Sequence, residues 1–145
     1  MAPRKGFFKP INPQKYNGNP TNIVYRSGWE LILMSRFDRD PNILWWKSEE
    51  TIVKYRSPID NRIRRYYPDF LIKTINNETI MIEVKPEKQT RPPVLTEGKR
   101  KSNKYIREVV TWGINQAKFK AAREYCKDHG YKFQLFTEVE LGLKK

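Results

Sequence analysis

The segment YPDFLIKTINNETIMIEVKPEK, residues 67–88, restricts the fold of this chain more than any other stretch. Two apolar runs flank Ile75-Asn76-Asn77, which predicts a β-hairpin with Tyr66–Thr74 as its first strand and Glu78–Lys85 as its second. Side chains alternate between the two faces of a strand. With the turn at 75–77, Phe70 opposes Ile82 and Ile72 opposes Ile80. Those four residues and Val84 make one wholly apolar face. The other face carries Leu71 and Met81, with Asp69, Glu83 and Lys85 gathered at one end. Any even shift of register leaves the three charged groups together.

Two carboxylates opposed across a strand pair repel each other and weaken the pairing. A divalent cation between them removes the repulsion. The single Cys126 and single His129 exclude a zinc site built from sulfur and nitrogen, so oxygen ligands and magnesium are expected, with manganese as a substitute. Such an ion polarises a phosphoryl oxygen and acidifies a water, and Lys85 can offset the charge that develops. The plainer alternative is an ion pair on a solvated sheet face, against which Leu71 and Met81 speak.

At 145 residues the chain predicts one domain. Residues 1–20 read as a basic arm. Arg4, Lys5, Lys9 and Lys15 face no acidic residue there, and four prolines forbid a regular helix. The arm either packs over the domain, taken as 21–145, or tracks a nucleic-acid backbone. A helix is expected from Ser27 to about Asp38, with Ser27 and Glu30 forming a capping box. Glu30 also lies on the apolar stripe of Leu33, Met34 and Phe37, so it is either a cap or an inward-pointing acid. Strands ILWWK and TIVKY follow. Beyond the hairpin come a loop to 102, a long helix over 103–128 with a weak point at Gly113, a cap at Gly130, strand YKFQLF, and a short final helix in TEVELGLKK. This order predicts an α/β (α+β) domain with a mixed sheet flanked by helices.

The net charge is +13 and the sequence pI near 9.9, which points to a polyanionic partner, double-stranded DNA by default. No run is apolar enough to span a bilayer and no basic amphipathic helix is evident, so neither a membrane nor a small-molecule cofactor is expected. Lys88, Arg91, Lys99, Arg100, Lys101, Lys104 and Arg107 crowd the stretch after Lys85 and suit phosphate contacts, as do Arg62, Arg64 and Arg65 before the hairpin. No base-reading motif is present, so recognition of DNA structure or ends is expected rather than of sequence. On the later helix, Asn115 or Gln116 could reach the acidic cluster, and Ser48 and Glu49 stand either as auxiliary polar residues of the cluster or at its rim.

Pro68-Asp69 followed by Glu83-Val84-Lys85 resembles the signature of the PD-(D/E)xK nucleases. The resemblance implies a restriction-endonuclease-like core and a catalytic set of Glu30, Asp69, Glu83 and Lys85. It also implies a metal held by Asp69, Glu83 and the Val84 backbone carbonyl, with Glu30 acting through water. A wider resemblance runs through KYNGNPTNIVYRSGWE, WWKSEE, RRYYPDF, EVKPEKQTRPP and TWGINQAKFKAA. These segments are similar to the head-completion nucleases of T-even-like tailed phages. That likeness implies an endonuclease acting on packaged DNA before tail joining, with head vertex or neck proteins as partners, in the host cytoplasm and the virion. The YRSxxE, PDF and K layout is shared with endonuclease subunits of some transposons, which is the enzymatic alternative. A non-catalytic DNA-binding vertex protein is the other, and the intact Asp69, Glu83 and Lys85 set argues against it.

Overall fold

In a computed structural model, residues 5–95 and 102–143 are described. The centre is a four-stranded sheet in the order β3 (Ile43–Ser48), β6 (Phe70–Thr74), β7 (Thr79–Val84), β8 (Lys132–Phe136). β3 and β7 run antiparallel to β6, and β8 runs parallel to β7. The parallel return is made by α2 (Asn103–His129), which crosses between the two strands as such a connection requires. This is the mixed, helix-flanked α+β sheet expected of a restriction-endonuclease-like core.

The hairpin has the predicted register: Phe70 faces Ile82, Leu71 faces Met81 and Ile72 faces Ile80. Asn77 closes the turn in the left-handed region at φ 65°. Phe70, Ile72 and Ile82 are buried against Leu33, Met34 and Phe37 of α1 (Gly28–Arg39), with Ile80 and Val84 at the margin. Leu71 and Met81 are buried on the opposite face against Ala122 and Cys126 of α2. Both sheet faces are therefore covered, and the acidic end lies on the face that α2 packs against.

One strand from Tyr66 to Thr74 does not form. The chain leaves regular pairing at Tyr67–Asp69, and Tyr66 instead ends β5 (Ile63–Tyr66), which pairs with β4 (Val53–Arg56) as a separate ribbon. Pro68 is the cause. It has no amide hydrogen for a ladder, and it restricts the residue before it. The final helix is also absent: Glu138 to Gly142 form turns only, and Gly142 takes φ 77°. In α2 the expected weak point is not a break, because Gly113 sits in an unbroken helix with open space where a Cβ would be. Gly130 caps that helix at φ 72°.

The arm is built into the domain. β1 (Gly6–Phe7) pairs with β2 (Val24–Tyr25), and Tyr16 packs edge-on to the fully buried Trp46 at 4.7 Å between ring centres. Asp38, buried in the last turns of α1, accepts hydrogen bonds from the Ile11 and Asn12 amides at 2.7 and 3.0 Å. Tyr16 also bridges to Trp46, so the arm covers the free edge of β3, which would otherwise expose unpaired backbone.

Candidate active site

Leaving the ladder at Pro68 turns Asp69 back toward β7. The Val84 amide donates to Asp69 Oδ2 at 2.7 Å, and the Asp69 amide donates to Glu83 Oε1 at 3.2 Å. Lys85 Nζ lies 3.6 Å from Glu83 Oε2. The Lys85 backbone is fixed by its amide, which donates to Phe136 at 2.9 Å and so extends the β7–β8 pairing. The hairpin thus brings together Asp69, Glu83 and Lys85. Glu83 is 5 % exposed and Asp69 half-buried. Burial, and then the Glu83 charge, hold the Asp69 carboxyl well above its ordinary range, with the Val84 amide and Lys85 working the other way.

Glu30 sits where the capping box places it. Its amide donates to Ser27 Oγ at 3.1 Å, and its carboxylate lies 3.4 Å from both the Arg26 amide and Ser27 Oγ. Burial raises its carboxyl first, and Glu83 adds to the rise, so Glu30 is in electrostatic reach of the pair while serving as the cap. Glu49 ties the neighbouring strand in: its amide donates to the Asp69 carbonyl at 3.1 Å and its carboxylate pairs with Arg26. Ser48 is buried, with its amide donating to the Tyr16 hydroxyl at 3.3 Å.

Among the described residues no three His, Cys, Asp or Glu side chains gather closely enough to hold a metal by themselves. A caged ion does not fit this site. A buried and a half-buried carboxylate, the second raised by burial and by the charge of the first, do fit an ion such as magnesium, which keeps several waters and takes one or two protein carboxylates.

Two residues that the sequence reading did not single out line the same site. Lys118 of α2 places its ammonium over the ring faces of Tyr55 and Tyr66, at 5.8 and 5.5 Å. Burial lowers its basicity, Lys85 lowers it further, and Glu83 and Asp69 act in the opposite sense. The Tyr66 hydroxyl is buried, with no hydrogen-bond partner among the described residues, and burial followed by the Glu83 charge pushes its phenol far up. A signal was available: Lys118 lies three residues after the buried Asn115 and four before the buried Ala122, on the inward stripe of α2.

The basic candidates divide. Arg64 pairs with Asp60, and Arg91 with Glu87 at 2.6 Å. Arg62 and Arg65 are exposed, Arg65 opposite Lys54 on the outward side of the β4–β5 ribbon. Lys88, Arg91, Lys104 and Arg107 line a cleft of about 870 Å³ between the segment after Lys85 and the first turns of α2, with Trp112 and Asn115 also in its wall. Gln116 is exposed. Lys99, Arg100 and Lys101 lie outside the described residues. Cys126 is structural, its thiol pushed up to about 11 by burial and lying 3.7 Å from the Met81 sulfur.

Two comparisons bear on this geometry. Residues 40–138 match the family described as TnsA-like endonuclease N terminal, a span that holds Asp69, Glu83, Lys85 and Lys118 and begins after Glu30. The chain is also 36 % identical over 137 residues to the head completion nuclease of Enterobacteria phage T4, covering 92 % of this chain and 90 % of that protein. With the PD and EVK residues folded into one acidic end, the chain belongs to the TnsA-like, PD-(D/E)xK-type endonuclease family and is a relative of the phage T4 head completion nuclease.

Proposed function

We propose that this protein is a magnesium-dependent endodeoxyribonuclease of phage head completion, cutting packaged double-stranded DNA at structures or ends rather than at a sequence, before the tail joins. The observation that carries the reading is the Asp69, Glu83 and Lys85 arrangement at the hairpin's end. Asp69 and Glu83 would hold the ion, with the Val84 carbonyl as a further ligand and Glu30 reaching it through water. When bound, the ion supplies Lewis-acid polarisation of the phosphoryl oxygen and a water acidified for attack. The Val84 amide fixes the orientation of Asp69, and Lys85 provides positive charge where the phosphorane develops negative charge. Lys88, Lys104 and Arg107 would guide the DNA backbone toward the site, and by their charge Lys99, Arg100 and Lys101 are candidates for further phosphate contacts.

The match to transposon-type endonucleases keeps a second reading open, an endonuclease subunit that works beside a partner transposase. The likeness to a named head completion nuclease across nearly the whole chain favours the phage role, with head vertex or neck proteins as partners. Mapping cut positions on a plasmid tests the substrate: scattered nicks are expected, and one unique position would contradict the reading. Infection with phage carrying Asp69→Asn tests the biological step. Filled heads without tails should accumulate, and normal virion yield would contradict it.

A further inference from the structure

The geometry points to Lys118 as a second cation of the active site, one that holds a backbone phosphate of the DNA beside Asp69 and Glu83. The inference rests on the nuclease reading above and names a contact which that reading does not contain.

Lys118 is half-buried on α2, where a charged group needs a partner. Its surroundings supply only part of one. The faces of Tyr55 and Tyr66 lie below it, carried on the paired strands β4 and β5, and ring faces attract a cation. Among the described residues no carboxylate oxygen comes within 4.0 Å of its nitrogen, whereas Lys85 lies 3.6 Å from Glu83. The two lysines thus have different employment. Lys85 is committed to the acidic pair. Lys118 is close enough for Asp69 and Glu83 to act on its charge, yet is bonded to neither. An ammonium held in place by two rings, without an ion-pair partner among the described residues, beside a pair of carboxylates suited to a metal, is placed to receive an anion that also reaches the metal. A phosphodiester has that chemistry. Because the rings come from the β4–β5 ribbon that leads into Asp69, the same segment orients the acid and the cation.

The test uses the full chain and a duplex oligonucleotide in calcium, reading affinity against salt without turnover. Each phosphate contact contributes about 0.9 to the slope of log affinity against log salt. Lys118→Gln, which keeps most of the stem, should lower that slope by about 0.9, Lys118→Arg should restore it, and Tyr66→Phe, which keeps the ring face, should leave it unchanged. Melting curves show whether each variant is folded. A scan of single neutral methylphosphonate linkages adds the position: wild type should lose affinity at one linkage to which Lys118→Gln is indifferent. A folded Lys118→Gln protein with the wild-type slope and the wild-type methylphosphonate profile would overturn the inference, even if its cleavage rate fell. Should wild type bind with the expected Lys118 dependence but cut under no metal, the nuclease reading fails and the phosphate contact stands. Should wild type cut while the slope is unmoved, the Lys118 inference fails alone.

Discussion

Replacing Asp69 by Asn separates the charge of the acidic pair from its shape. Asparagine keeps an oxygen to accept from the Val84 amide, so the 2.7 Å hydrogen bond that positions the side chain can persist. What disappears is the negative charge set against Glu83, which with burial raises the Asp69 carboxyl. Asp69 lies just outside the β6–β7 ladder, so it does not face Glu83 as a paired residue, but two like charges brought together beside a strand pair cost on the same order, roughly 0.2–1 kcal/mol. The metal-free variant should therefore be more stable than wild type by that amount. For a chain of this size about 1 kcal/mol moves the melting temperature by roughly 2–4 °C. The rise should accordingly fall between about 0.5 and 4 °C. Magnesium should reverse the order. At about 100 times its dissociation constant it stabilises a one-site protein by roughly 2.7 kcal/mol, a shift of about 5–10 °C for wild type and little for the variant. The pH dependence has a definite sign. A carboxyl whose folded value is raised favours the protonated folded state. Its destabilising effect is absent below the unfolded value, near pH 3.9 for Asp, and grows as pH rises from there toward the raised folded value. The gap between variant and wild type should close in acid and open toward neutral pH. Differential scanning calorimetry with chelator and with magnesium, across pH 4–8, reads all three effects. A variant less stable than wild type in chelator at neutral pH, or equally stabilised by magnesium, would refute the reasoning.

Further predictions concern Lys85 and Asp38. Lys85→Ala should slow cleavage on the order of 10²–10³-fold, as for loss of one preorganised donor, with DNA affinity in calcium almost unchanged. If saturating magnesium instead restores its rate, Lys85 is only a counter-ion to Glu83, and Lys85→Arg should then be tolerated. Asp38→Ala removes the acceptor of two arm amides and should cost about 2–3 kcal/mol in denaturant unfolding. A cost below roughly 0.5 kcal/mol would show that the arm's anchoring there contributes little.

The hairpin was legible because turn length, alternation and a wholly apolar face all agree on one register. The acidic end followed from that register alone. The path of Tyr67–Asp69 was not followed, although Pro68 marks it, because the apolar residues on either side read as one strand. TEVELGLKK begins as a helix would: Glu140 Oε2 accepts from the Thr137 amide and hydroxyl at 3.0 and 2.7 Å, but Gly142 ends the run after a single turn. At Gly113 the penalty of one glycine, about 1 kcal/mol, is small against a 27-residue helix packed along the sheet. The arm's prolines foretold irregular backbone. They could not foretell its anchor, since Asp38 accepts from amides 26 and 27 residues away. The place of Lys118 on the inward stripe of α2 was legible, but what it meets there was not. Its environment exists only where α2 crosses the β4–β5 ribbon, of which the sequence marks the first strand, as TIVKY, but not the second, Ile63–Tyr66, whose last residue reads as the start of the hairpin.

Cleavage of supercoiled plasmid by Glu83→Gln protein, beside wild type, tests the central claim most directly. Glu83 sits at the junction of the site: it accepts from the Asp69 amide, faces Lys85, and raises the carboxyls of Asp69 and Glu30. Wild type should nick the plasmid in magnesium and stop when chelator is added. Glu83→Gln, folded by calorimetry, should leave the plasmid supercoiled in both conditions. A Glu83→Gln protein that cuts at the wild-type rate in magnesium, or a wild-type protein that cuts equally well in excess chelator, would contradict the claim that this carboxylate pair works through a metal.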